Sequence, residues 1–78
     1  MLSLNPLSHD EKETDYLDRM DDLGVTLETV ISFARRRIRA LDIAGAEFLG
    51  NREIDKAITW WESTLESALT RLEMRSIR

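Results

Sequence analysis

The chain has no cysteine, a single proline, three glycines and one histidine among its 78 residues, and each scarcity removes a class of answer. Without cysteine no disulfide braces the fold, and a lone histidine makes the usual zinc ligand sets unattainable. A chain of this size hides only about 60% of the surface its unfolded form exposes, so its core is marginal. The support left to it is another subunit or a partner. The missing cysteine also fits a reducing compartment, and a cytoplasmic location is the expectation.

Long hydrophobic runs are missing as well. Nothing approaches the ~20 apolar residues of a membrane-spanning helix, and the start, Met1-Leu2-Ser3-Leu4-Asn5-Pro6-Leu7, has no basic leader region. Neither membrane insertion nor signal-directed export is therefore expected. Basic charge is short too: 11 lysines and arginines face 15 aspartates and glutamates, for a net charge of −4. Nucleic-acid domains usually show the opposite balance, so phosphate binding needs a local basic patch.

What is present is helical periodicity, punctuated where helices begin and end. Residues 1–7 hold the only proline and read as an irregular arm; residues 8–78 read as a single helical domain. Ser8 and Glu11 have the spacing of a capping box, which places a first helix at about residues 9–23 with Gly24 as its left-handed stop. Its apolar face is thin, consisting of Tyr16, Leu17, Met20 and Leu23. Thr26 offers a second N-cap, and Leu27, Ile31, Ala34, Ile38, Leu41, Gly45 and Phe48 then recur at spacings of four and three.

That seam predicts a helix over residues 26–49, with Gly45 as a small residue that lets a neighbour approach; the competing reading breaks the helix at Gly45. Gly50-Asn51 ends it and caps a third helix over residues 52–76, whose seam is Ile54, Ile58, Trp61, Leu65, Ala68 and Leu72. So short a connection forces the two long helices antiparallel. The expected fold is all-α: a short N-terminal helix and a long antiparallel hairpin, assembling as a helical bundle.

A hairpin buries one seam, yet Val30, Phe33, Ile43, Ala57, Trp60, Leu69, Met74 and Ile77 lie beside it. The first helix is too short to cover all of them, which favours a homodimer, a larger helical assembly or a groove for a partner helix; the alternative is a monomeric three-helix bundle. Adjacent helical residues point ~100° apart, so Trp60 and Trp61 cannot share the seam. Trp61 is placed in it. Trp60 then either anchors a partner from the edge or packs beneath the first helix.

Charge is segregated along the chain. From Asp10 to Asp22 seven acids face only Lys12 and Arg19, whereas Arg35, Arg36, Arg37 and Arg39 cluster on the outward half of the second helix. Three readings fit the arginines: a solvated face partly balanced by the acidic helix, a docking surface for an acidic protein, or a phosphate contact. Enzyme chemistry is poorly supplied, because the only imidazole, His9, sits at a predicted helix start. Carboxylate pairs such as Asp18 with Asp22 lack the accompanying histidines of a metal site. No catalytic, cofactor-binding or metal-ligating residue is assigned.

Thr14-Asp15-Tyr16-Leu17, followed by Thr26-Leu27-Glu28 and Val30-Ile31, resembles the start of the Hha family of nucleoid-associated modulators. The likeness ends at Ile31, and no family is assigned on it. In outline the hairpin is also similar to small type III secretion co-chaperones, an analogy of fold without functional content. The reading reached is a small non-enzymatic protein-interaction module, regulatory, chaperone-like or inhibitory. It would act through the apolar edge of the hairpin, with Phe33, Trp60 and Leu69 as anchors and Arg36 and Arg39 as charged contacts. Its rivals are a nucleic-acid-associated regulator using Arg35, Arg36, Arg37 and Arg39, and a structural assembly subunit.

Overall fold

A computed structural model describes residues 3–8, 10–47 and 50–76. Among them are three helices and no strand: α1 (Glu13–Asp22), α2 (Leu27–Glu47) and α3 (Arg52–Ser76). The fold is all-α, with α2 and α3 closely packed and α1 set mainly against α3.

The ends of the long helices follow from their local chemistry. The Thr26 hydroxyl accepts the Thr29 amide at 3.2 Å, and the Asn51 side chain accepts the Glu53 amide at 2.9 Å, so each helix start has a donor satisfied. Gly24 and Gly50 have φ of 81° and 83°, the left-handed conformation in which a side chain is strained, and there the chain leaves one helix and turns toward the next. α2 runs unbroken through Gly45. The expected end at Leu49 lies outside the described residues, as do His9, Phe48 and Ile77.

The start of α1 differs from expectation. It begins at Glu13, behind an extended Lys12 that makes no side-chain cap. The Glu11 carboxylate, instead of closing a box on Ser8, accepts the Leu7 amide at 2.9 Å and pairs with Arg19 at 3.0 Å. The Glu11 carbonyl, which a longer helix would use internally, accepts the Trp60 indole N–H at 2.7 Å. A tertiary contact has taken the place of the first helical turn.

Two contacts fix the hairpin as antiparallel. Gly45 lies against Ile54 beside the bend, and the Phe33 ring meets Trp61 at 5.4 Å farther from it. α1 runs in the same direction as α3: Glu11 meets Trp60, Asp18 pairs with Arg71 at 2.9 Å, and Asp21 pairs with Arg75 at 3.5 Å. The core therefore sits at one end. Its buried residues are Tyr16, Leu17 and Met20 of α1, Leu27, Val30, Ile31 and Ala34 of α2, and Trp61, Thr64 and Ala68 of α3. Each large apolar side chain fully buried there contributes about 1.5–3 kcal/mol.

No described residue from Arg35 to Trp60 is fully buried. Toward the bend the seam residues Ile38, Leu41, Ile54 and Ile58 are only half-covered, giving a body of 44 × 25 × 21 Å. Alanines on the seam bring the helix axes together; Ala34 and Ala68 are completely buried. At Gly45, however, an added Cβ would stand 3.5 Å from the Ile54 side chain, an ordinary contact. Close approach is thus not the reason for that glycine. No helix among the described residues is long and apolar enough to cross a membrane.

Candidate interaction surfaces

One flank of the hairpin is sealed by the arm and α1. Tyr16 is the hub: its ring meets Trp60 at 5.2 Å and Trp61 at 5.8 Å, edge to face, and the two indoles meet each other at 4.8 Å in the same way. Such pairs contribute about 0.5–1.5 kcal/mol each beyond the area they bury. The Tyr16 hydroxyl donates to the Leu4 carbonyl, and Arg19 donates to the Asn5 carbonyl at 3.2 Å, so residues on α1 hold the arm down. Burial pushes the Tyr16 phenol up to about 12, which keeps it a neutral donor in ordinary buffers.

The Arg19 guanidinium forks onto Glu11, with Nε at 3.2 Å and Nη2 at 3.0 Å. That hydrogen bond, helped by the Leu7 amide and opposed by partial burial, holds the Glu11 carboxyl below its ordinary value. Beside this lies a cavity of about 250 Å3 between the arm, Arg37 of α2, and Lys56, Trp60 and Trp61 of α3. No carboxylate lines it.

The opposite flank has no helix upon it. Residues on α3 that stand ~160–200° around the axis from Trp60 are Ile58, Glu62 and Leu69, while Asp55 lines a pocket with Glu13 and Trp60 on the α1 side. On α2, Arg37 faces the arm; Arg35 and Arg39, two positions to either side, are rotated ~200° from it and emerge on the open flank. This face joins half-buried Ile38, Ile58 and Leu65 to Leu69, which is 39% exposed. Glu62 edges its α3 side, and its α2 side carries Glu28 and Asp42 as well as Arg35 and Arg39.

The five proposed partner residues do not form one surface. Phe33 and Trp60 are half-buried on the arm side, Phe33 against Trp61 and Trp60 beneath the arm and α1. Leu69 and Arg39 belong to the open flank, and Arg36 points away from both. The arginine cluster is likewise divided. All four are exposed, and among the described residues none forms an ion pair. The acids of α1 do not balance them; Asp18 and Asp21 pair with Arg71 and Arg75 of α3.

Sequence reasoning overlooked that ladder and the Tyr16 hub. The signal for the ladder was present, since Asp18 with Asp21 and Arg71 with Arg75 are each spaced to lie along one helix face. For the hub there was little, because nothing local links Tyr16 to Leu4 or Trp60. Among the described residues no three histidines, cysteines or carboxylates gather as a metal site. No family model, curated protein or solved structure matches the chain significantly.

Proposed function

We propose that the protein is a non-enzymatic interaction module that binds another protein helix along the open flank of the hairpin. The observation carrying this reading is the contrast between the flanks. Aromatic packing and three hydrogen bonds to the arm and Glu11 close one side, while the other leaves Leu69 exposed and Ile38, Ile58 and Leu65 only half-covered. An amphipathic helix laid into such a groove removes the remaining apolar surface from water. The work of the module is regulatory, chaperone-like or inhibitory, and its expected setting is the cytoplasm, in keeping with a chain free of cysteine.

Leu69→Lys tests the groove. On this reading the variant keeps its helicity and loses partner capture, whereas Arg36→Ala, on the outward face, leaves capture unchanged. Equal capture by the parent and Leu69→Lys would refute the assignment. A second reading, contact with nucleic-acid phosphates, is favoured by the four unpaired exposed arginines. It requires retention on DNA or RNA at low salt that disappears when Arg35, Arg36, Arg37 and Arg39 become alanine.

A further inference from the structure

The geometry points to a second site, on the sealed flank: the cavity beside Trp60 binds a small aromatic anion, a flat apolar ring carrying one carboxylate or phosphate group. This goes beyond the interaction-module reading and does not depend on it, because Trp60 and Leu69 stand half a turn apart on α3. The site is built from α3 outward. Lys56 with Trp60, and Ala57 with Trp61, are each four residues apart and share one face of that helix. Ala57, small and half-buried, leaves the space beside the indoles open, and Arg37 of α2 and the arm enclose it to about 250 Å3.

Each wall offers something definite. Trp60 spends its N–H on the Glu11 carbonyl at 2.7 Å, so what it gives the cavity is ring surface. Trp61, 3% exposed, backs the space. On the arm side the Leu4 and Asn5 carbonyls accept hydrogen bonds from Tyr16 and Arg19, which hold that wall in place. Ligand pockets usually run to ~300–1,000 Å3, so this one stands at the small end and suits a molecule of one or two rings. A partner helix does not fit it.

Charge selects an anion. Arg37 and Lys56 are exposed at the cavity, and among the described residues neither forms an ion pair. No carboxylate lines it, although acids outnumber bases fifteen to eleven in the chain, and the Glu11 carboxylate is taken by Arg19. Lys56 also borders a second hollow beside Glu13 and Asp55, so part of its charge is shared with those acids. Arg37 is the stronger contact, having no acid three or four residues away on its own helix. Its planar fork takes two oxygens of a carboxylate or phosphate at once, Lys56 adds a point charge, and the ring lies against the indoles.

The experiment is a titration of the full, nitrogen-labelled chain at low salt, followed by NMR on the indole N–H signals of Trp60 and Trp61. The probes are naphthoate, naphthyl phosphate, the neutral naphthamide, and acetate, which lacks the ring. At least one aromatic anion is expected to shift both signals saturably with a Kd of about 1 mM or below, and the other two probes to bind at least about fivefold more weakly. Arg37→Gln removes the fork, and Ala57→Leu fills the cavity without altering charge; each should weaken binding at least about fivefold. Arg36→Gln makes the same charge change on the outward face and should leave it intact. Circular dichroism confirms that each variant is folded.

The tighter of the two anions identifies the head group, carboxylate or phosphate ester, and either order supports the site. No saturable shift with either one overturns it. So does naphthamide or acetate binding as tightly as the anions, since the cations or the indoles would then have no part. Undiminished binding by folded Arg37→Gln, or equal losses in Arg37→Gln and Arg36→Gln, also refutes the assignment. None of these results touches capture through Leu69, so the two readings fail separately.

Discussion

Replacing Trp60 with phenylalanine isolates what holds the arm to the hairpin. The variant keeps a ring against Tyr16 and Trp61 but deletes the indole N–H that reaches the Glu11 carbonyl at 2.7 Å. Losing a hydrogen bond of this kind costs about 0.5–1.5 kcal/mol, and the smaller ring forfeits part of its edge-to-face contact, so about 1–2 kcal/mol is expected in total. In a domain of this size each kcal/mol moves the midpoint by roughly 4–8 °C. The expected fall in Tm is therefore roughly 4–16 °C.

The assay is urea and thermal unfolding followed by far-UV circular dichroism, because the substitution itself alters tryptophan fluorescence. Protein concentration must be matched, since association raises apparent stability. Tyr16→Phe serves as the second edge of a double-mutant cycle, as it removes the donor to the Leu4 carbonyl. If both bonds hold the same arm, cutting either one loosens it. The double variant should then cost less than the sum of the singles by about 0.5 kcal/mol or more. A loss under about 0.3 kcal/mol for Trp60→Phe, or strict additivity of the two, would refute the claim that these bonds dock the arm.

Two further outcomes follow from particular residues. Gly45→Ala should stabilise the protein by up to about 1 kcal/mol, since glycine is a poor helix former and the added methyl meets Ile54 at an ordinary distance; a lower urea midpoint would show that α2 and α3 need the gap. Tyr16 has its pKa raised from 10.0 to about 12, so its contribution is fully present below pH 10 and is lost as pH rises toward 12. Melting curves across that window should show stability falling with pH in the parent, and Tyr16→Phe should flatten the slope. An unchanged slope would remove Tyr16 as its source.

Much of the fold was legible because its signals are local. Thr26, Gly50 and Asn51 act within a few residues of themselves: a short oxygen reaches an amide two or three positions on, and a glycine tolerates a left-handed turn. The seven-residue spacing of Leu27, Ile31, Ala34 and Ile38, answered by Trp61, Leu65, Ala68 and Leu72, specified which stripes meet once the connection was known to be short. The capping box failed for the complementary reason. Ser8 and Glu11 have the right spacing, but Leu7 and Arg19 take the Glu11 carboxylate and Trp60 its carbonyl, and two of these three lie well outside the window in which a cap is read.

The anchors show the same limit. Helical spacing alone separates Trp60 from Leu69 by half a turn, yet it does not say which of the two flanks α1 will occupy. By itself the sequence determined three helices, the caps at Thr26 and Asn51, the turns at Gly24 and Gly50, and the two stripes that join the long pair, because each depends on interactions a few residues apart. Only the tertiary structure decided that α1 runs alongside α3, that its acids meet Arg71 and Arg75, and that Trp60 is covered while Leu69 is left open. Those choices compare whole faces against one another, and a contact spanning 49 residues, as between Glu11 and Trp60, leaves no mark on the spacing of either neighbourhood.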